Sequence, residues 1–202
     1  MPGRKASEEQ RKRELLEAAF HVAQRQGLHH FAVRDVAERA KLSVGLVFFH
    51  FKTKDDLLLA LLDWLLETTA VLHMPAEIAS IGSPLERLLA LLRQETERLT
   101  REPGRLRLFF EFWLLGLRNR AVRARIRAEL ARYREAFRPI AESVLAADPV
   151  RFSKVTPEGL SSVAVAFIKG CAVQSVIDEQ FDIEAFRMAA DSLLEQLEVA
   201  AT

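Results

Sequence analysis

"LSVGLVFFHFKTKDDLL" spans residues 42–58. Five large apolar side chains, Leu46, Val47, Phe48, Phe49 and Phe51, crowd around His50, and Lys52 and Lys54 follow at once. A strand is one reading, because aromatic and β-branched residues favour sheets. It needs a partner strand, and the chain offers no convincing one. A short helix over about 44–50 fits better. It follows the eight-residue helical segment "VRDVAERA" (33–40) after three residues, Lys41 to Ser43. That is the length pattern of a helix-turn-helix, whose second helix enters the DNA major groove. On so short a helix Val47 turns back to the hydrophobic nucleus and Phe51 closes it from below. Val44, Leu46, Phe48, Phe49 and His50 spread over the other directions. Gly45 removes a side chain where the helix can approach a backbone closely. Lys54, opening the next helix, can reach a phosphate, and the free N–H groups there favour an anion.

Outward from this stretch the chain reads as helix throughout. Ser7 caps a first helix carrying Leu15, Leu16, Ala19, Phe20 and Ala23, which stops at Gly27. Thr53 caps a longer one with Asp55 and Asp56 in its first turn and an apolar stripe from Leu57 to Leu72. Ser83 and Pro84 open another, and Pro103 and Gly104 punctuate. "LRLFFEFWLLGL" is apolar nearly all round, as a central buried helix is. A long Arg-rich segment from residue 118 carries Pro139, which is expected to kink or split it. Thr156 and Pro157 open a further helix, and Ile183 begins the last. The expected fold is all-α: an N-terminal helix-turn-helix bundle (1–54) followed by a helical effector-binding and dimerisation domain (55–202).

The totals narrow the function. The net charge of +1 divides unevenly: residues 1–54 hold 11 Lys or Arg against 6 Asp or Glu, and the remainder holds 18 against 22. A basic module on a mildly acidic body is the footprint of a polyanion binder, and an ordinary solvated surface is the other reading that charge alone leaves open. The single Cys171 excludes an intrachain disulfide and sits in an apolar helix, where a thiol is inert. The charged N-terminus lacks a secretory apolar run, and no apolar run is expected to reach the ~20 residues that cross a bilayer. The expected location is the cytoplasm. Five histidines show no metal-ligand spacing, and no Gly-rich phosphate loop is present. No metal, cofactor or catalytic group is expected, and the chain is not read as an enzyme.

At these residues the sequence resembles the TetR-type (TetR/AcrR-like) transcriptional regulators. "VRDVAERAKLSVGLVFFHFKTKDDLLLALL" carries the resemblance through Arg34–Asp35, "AERA", Ser43, Gly45, His50–Phe51, Lys54 and the leucines behind it. The match covers roughly residues 8–66. It implies a homodimer on a palindromic double-stranded DNA operator, usually repressing, and a small molecule in the C-terminal domain that releases it. By position, Arg34 contacts a base or phosphate, and Val44, Gly45 and Leu46 face the groove. Phe48, Phe49 and His50 lie along the backbone side, and Lys54 holds phosphate. Departures from the family pattern fall at Ala32, where a capping hydroxyl is common, and at Lys41, where Gly is frequent and a cation is gained. Leu46 replaces a frequent Thr and Phe48 a frequent Tyr. Polar readout by the helix is therefore poor, and contacts with thymine methyls, Arg34 and DNA shape take its place. Arg34 is also spaced to pair with Glu38.

The helix from Pro157 has two apolar faces, and small residues permit close approach. With the last helix it suits a four-helix dimer interface, for which Ala164, Ile168, Ala172, Val176, Phe186, Leu193 and Leu197 are the candidates. Intrachain core is the other reading of these faces. Trp64, Phe109, Phe112, Trp113, Tyr133, Phe137, Phe167 and Cys171 are candidates for lining an effector cavity, which would suit an apolar or aromatic molecule. Aromatic residues at helical spacing equally make plain core. Arg118, Arg120, Arg123, Arg125 and Arg127 form a solvated face or attract an acidic group, with Arg125 spaced to pair with Glu129.

Overall fold

The computed structural model describes residues 7–69 and 74–199, with side chains from Ser7 to Glu67, from Met74 to Ala190 and at Ser192. Arg4, Lys5 and Leu72 lie outside the described residues. Those described form helices α1 (Glu8–Gln26), α2 (Val33–Arg39), α3 (Val44–His50), α4 (Lys54–Thr69) and α5 (Ala76–Ala79). The chain continues through α6 (Pro84–Thr100), α7 (Pro103–Gly116), α8 (Arg120–Ala147), α9 (Pro157–Ile177) and α10 (Ile183–Val199). No strand occurs among them.

Local chemistry sets most of the boundaries. Ser7, Ser43, Ser83 and Thr156 each accept, through the side-chain oxygen, the backbone N–H three residues on. Thr53 and Asp56 form a reciprocal capping box at the start of α4, each donating a backbone N–H to the other's side chain at 3.0 Å. Ala32 offers no side-chain cap to α2. Pro103 stands at the first position of α7, just after the break that ends α6 at Thr100. One sequence expectation is corrected: Pro139 does not split α8, which runs through it as one element.

The chain folds as two compact units. The first comprises residues 7–69 and 107–126, and the second comprises 74–106 and 127–199. Packing therefore does not divide the chain after residue 54: all of α4 and parts of α7 and α8 join the N-terminal helices. In the first unit α1 packs on α2 and α4, and α2 packs on α3. Leu15, Phe31, Val36, Val47, Leu57, Leu61 and Phe112 are almost fully enclosed there. Burying each such side chain contributes about 1.5–3 kcal/mol. In the second unit α6 and α10 both pack on α9, around Leu91, Phe137, Ile168 and Cys171.

Helix α9 corrects a further expectation. Its 21 residues are long and apolar enough to cross a bilayer, yet only 33% of its most apolar window is buried within the chain. Its enclosed side holds Ala164, Val165, Ile168, Cys171 and Ala172. Val163, Val173 and Ile177 remain exposed, and a Cβ added at Gly170 would meet nothing within 4 Å.

The end of α1 is tied to α7 by a contact 83 residues distant in sequence. The Leu28 N–H donates to Glu111 Oε2 at 2.6 Å. The turn that presents this N–H needs Gly27, whose φ of 72° and ψ of 167° lie in a region only glycine occupies freely. A Cβ there would also stand 3.1 Å from Glu111 Oε2. Gly27→Ala is expected to cost about 1–3 kcal/mol in urea unfolding. An unchanged midpoint would show that the turn adapts.

Candidate functional site

The helix-turn-helix is built from α2, a four-residue corner (40–43) and α3. Leu42 N–H donates to Ala37 O at 2.9 Å and Lys41 N–H to Glu38 O at 3.0 Å, which is the Schellman closure of α2. It places Lys41 at φ 56°, the left-handed conformation that glycine adopts without strain. Lys41 thus carries a conformational cost at the position where its cation is gained.

Helix α3 buries one residue. Val47 is fully enclosed, and Phe51, leaving the helix in extended conformation, is 8% exposed beneath it. Val44, Phe48 and Phe49 are 38%, 42% and 75% exposed. Ser43 and Gly45 are also exposed, while Leu46 and His50 are half-buried. His50 stands edge-on to Phe49 with ring centroids 5.2 Å apart, and its buried Nδ1 has no hydrogen-bond partner among the described residues. Among the described residues a Cβ on Gly45 would meet only Ser43 Oγ, at 3.9 Å, so none of them demands glycine there.

The positive charge sorts by position. On α1, Arg11, Lys12 and Arg13 pair with Glu14, Glu8 and Glu17. Arg34, Lys41 and Lys54 are exposed and enter no ion pair among the described residues. Arg34 does not take the Glu38 partner its spacing allows. The Lys54 Nζ lies 5.9 Å from the Phe31 ring centroid, within cation–π reach. Uncompensated cations therefore flank α3, and the site offers a polyanion an apolar helix surface between positive side chains.

Comparison with known proteins agrees with this arrangement. Residues 15–61 match the profile of bacterial regulatory proteins of the tetR family. Residues 84–198, more than half of the chain, match the C-terminal profile of BetI-type transcriptional repressors. The chain belongs to the TetR family. It is a transcriptional regulator, with the helix-turn-helix as its DNA-binding element, and not an enzyme. It is 24% identical over 189 residues to an uncharacterized HTH-type transcriptional regulator in the dhlA 5' region of Xanthobacter autotrophicus, a match covering 92% of this chain and 90% of that one. A transcriptional regulator structure from Pseudomonas aeruginosa shares the fold at TM-score 0.77 and 21% identity, covering 98% and 94% of the two chains. A regulator from Saccharomonospora viridis, solved in complex with choline, does so at TM-score 0.68 and 18% identity, covering 93% and 97%.

The aromatic set considered for an effector cavity is divided between the units of this TetR-family chain. Trp64, Phe109, Phe112 and Trp113 belong to the first. Trp64 meets Phe20 at 5.4 Å between centroids, and Phe109 stands edge-on to Trp113 at 5.6 Å. Tyr133, Phe137, Phe167 and Cys171 belong to the second, where all but the half-buried Phe167 are buried. Phe167 stacks on Phe186 at 4.8 Å, and Tyr133 stands edge-on to Phe137 at 5.6 Å. A cavity of about 660 Å³ in the first unit is lined by none of these eight residues.

The interior of the second unit also holds charge that sequence patterning missed. Glu95, fully enclosed, accepts hydrogen bonds from the Tyr133 hydroxyl at 2.5 Å and from Arg98 at 2.6 and 3.2 Å. Thr96 accepts one from Arg187 of α10 at 3.1 Å. Glu129 is bound by Arg132, and Arg125 pairs instead with Asp63 at 2.7 Å, which corrects the expected Arg125–Glu129 pair. Burial raises the Tyr133 phenol, and the adjacent Glu95 charge adds to the effect. Burial likewise pushes Lys169, 5.1 Å from the Tyr133 ring centroid, down to about 8, against the attraction of Glu129.

Of the dimer candidates, Ala164, Ile168 and Ala172 are enclosed by the chain itself. This corrects their assignment to an open face: their stripe of α9 is intrachain core. Val176 and Phe186 are half-buried. The side chains of Leu193 and Leu197 lie outside the described residues.

Lys169 gives a pH signature. A lysine whose folded pKa falls below its ordinary 10.5 binds fewer protons folded than unfolded. Its charge therefore costs stability below about pH 8, and that cost fades as pH rises from 8 towards 10.5. Lys169→Met is expected to raise Tm by ~2–4 °C at neutral pH, with the gain shrinking across that window. A gain constant with pH would show that desolvation of the ammonium is not its source.

Proposed function

We propose that the chain is a homodimeric, cytoplasmic repressor that grips a palindromic operator and is released by a small apolar or aromatic effector. The observation that carries this reading is α3 itself, which fully buries Val47 alone and leaves its other positions at least partly open beside unpaired cations. Val44, Gly45 and Leu46 meet the major groove, where thymine methyls suit their apolar surface. Phe48, Phe49 and His50 lie along the sugar-phosphate backbone. Lys54, Lys41 and Ser43 hold phosphate, and Arg34 reaches a base or phosphate. The functional boundary on this reading falls after residue 54, with α4 carrying movement from the effector-binding region to the bundle. The effector acts by preferring one spacing of the two recognition helices over the other. Trp64, Phe109, Phe112 and Trp113 of the first unit, or Tyr133, Phe137, Phe167 and Cys171 of the second, suit such a molecule, and the complex of the Saccharomonospora viridis regulator with choline supports a small-molecule ligand.

Support for the dimer comes from the open side of α9. Val163, Ala166, Gly170, Val173 and Ile177 recur at intervals of three and four and share one face, and Met188 on α10 is 65% exposed. Two copies of α9 and α10 would cover these residues, with Val176 and Phe186 at the margin. Val173→Glu is expected to leave a folded monomer in sedimentation experiments, with operator affinity lower by on the order of a hundredfold. A dimer that survives this change would move the interface elsewhere.

Three substitutions test the DNA contacts by titration against DNA from upstream of the protein's own gene. Lys54→Ala weakens every sequence and lowers the salt slope by about 1 per subunit. Arg34→Ala also relaxes sequence preference. Gly45→Ala stabilises α3 by about 0.5–1 kcal/mol yet weakens operator binding, since the space it fills lies outside the chain. Affinity and salt dependence equal to the parent in all three would remove these residues from the interface.

A further inference from the structure

The cavity of about 660 Å³ in the first unit falls within the size range of small-molecule sites, roughly 300–1,000 Å³. Leu58 and Leu59 of α4, Leu115 of α7 and Val122 of α8 give it an apolar wall. Leu114 and Leu117, which also line it, are 67% and 64% exposed. Two cations share the lining, Lys54 and Arg118. Two anions do as well, but each already has a favourable electrostatic partner. Glu111 accepts the Leu28 N–H, and Asp55 sits in the first turn of α4, where the helix dipole favours a negative charge.

The arginine run beside the cavity separates by contact. Arg123 is spent on the carbonyls of Gly116 and Leu117, and Arg125 on Asp63. The side chain of Arg118 enters no ion pair among the described residues. An apolar wall with two available cations is complementary to a molecule with an apolar chain and one negative end. A neutral ligand would leave Arg118 unused, and a cationic one would meet Lys54.

We propose that this cavity binds an amphipathic carboxylate, with its chain against Leu58, Leu59, Leu115 and Val122 and its carboxylate between Lys54 and Arg118. Bound there, it withdraws Lys54 from DNA. This second part rests on the reading that Lys54 holds a phosphate. The two anions, carboxylate and DNA phosphate, then compete for one ammonium, and by linkage each weakens the other's binding equally. None of the aromatic set lines this site, which acts on the contact itself rather than on the spacing of the recognition helices.

Calorimetry on the full chain without DNA tests the cavity, with decanoate as probe and decanol and decyltrimethylammonium as controls. Decanoate is expected to bind at least about tenfold more tightly than either control. Arg118→Gln, and Leu114→Trp at an exposed position, should each weaken it by a similar factor. No decanoate binding, equal binding of the alcohol, or indifference to both substitutions would overturn the proposal. A second arm measures affinity for a generic duplex at low ionic strength. Saturating decanoate is expected to lower it several-fold in the parent and not in Lys54→Ala. Duplex affinity that decanoate leaves unchanged would refute the competition. A parent that binds no duplex at all would sink the DNA reading instead, while the calorimetric arm still decides the cavity.

Discussion

The structure turns on the anchoring of α3 by Val47. A seven-residue helix has too few internal hydrogen bonds to stand alone, and its stability must come from packing. With Val47 enclosed and Phe51 beneath the C-terminal end, the helix is held while six of its seven side-chain positions stay at least partly open. Its entry is fixed by the Schellman closure after α2 and by the Ser43 cap. The strain accepted at Lys41 belongs to the same economy, since the corner demands a left-handed residue and the chain supplies a cation there instead of glycine. The apolar run that looks like core in sequence is thus mostly surface, and its exposure makes sense against a duplex.

The bundle that holds α3 is completed by residues far along the chain. Glu111 secures the turn after α1, and Arg125 secures Asp63 on α4. The first contact holds the end of α1 and the second holds α4, the helices that carry the DNA-binding element. A regulator needs such connections, because an effector can alter DNA affinity only through contacts that differ between two arrangements. Lys54 both lines the cavity and opens α4.

The second unit places charge inside. A fully enclosed carboxylate is tolerated only where hydrogen bonds replace its water, and Glu95 has Tyr133 and Arg98 for that purpose. This network joins α6 to α8, and Arg187 joins α6 to α10. Such directional links constrain how these helices pack more strongly than apolar contacts do, because a misplaced partner leaves a buried charge exposed to a low dielectric.

What the sequence by itself determined is local: the helices, their caps at Ser7, Ser43, Thr53, Ser83 and Thr156, and the helix-turn-helix with Val47 inward and Lys54 outward. Capping and helical periodicity act over three or four residues, so they are written in neighbouring letters. Tertiary structure alone decided the partners of Glu111, Asp63 and Glu95, which lie 83, 62 and 38 residues from the groups they bind. It also decided which side of α9 the chain encloses. That helix is apolar on more than one face, so its periodicity cannot distinguish Ile168, packed inside, from Val173, left open. Only the placement of its neighbours breaks the tie.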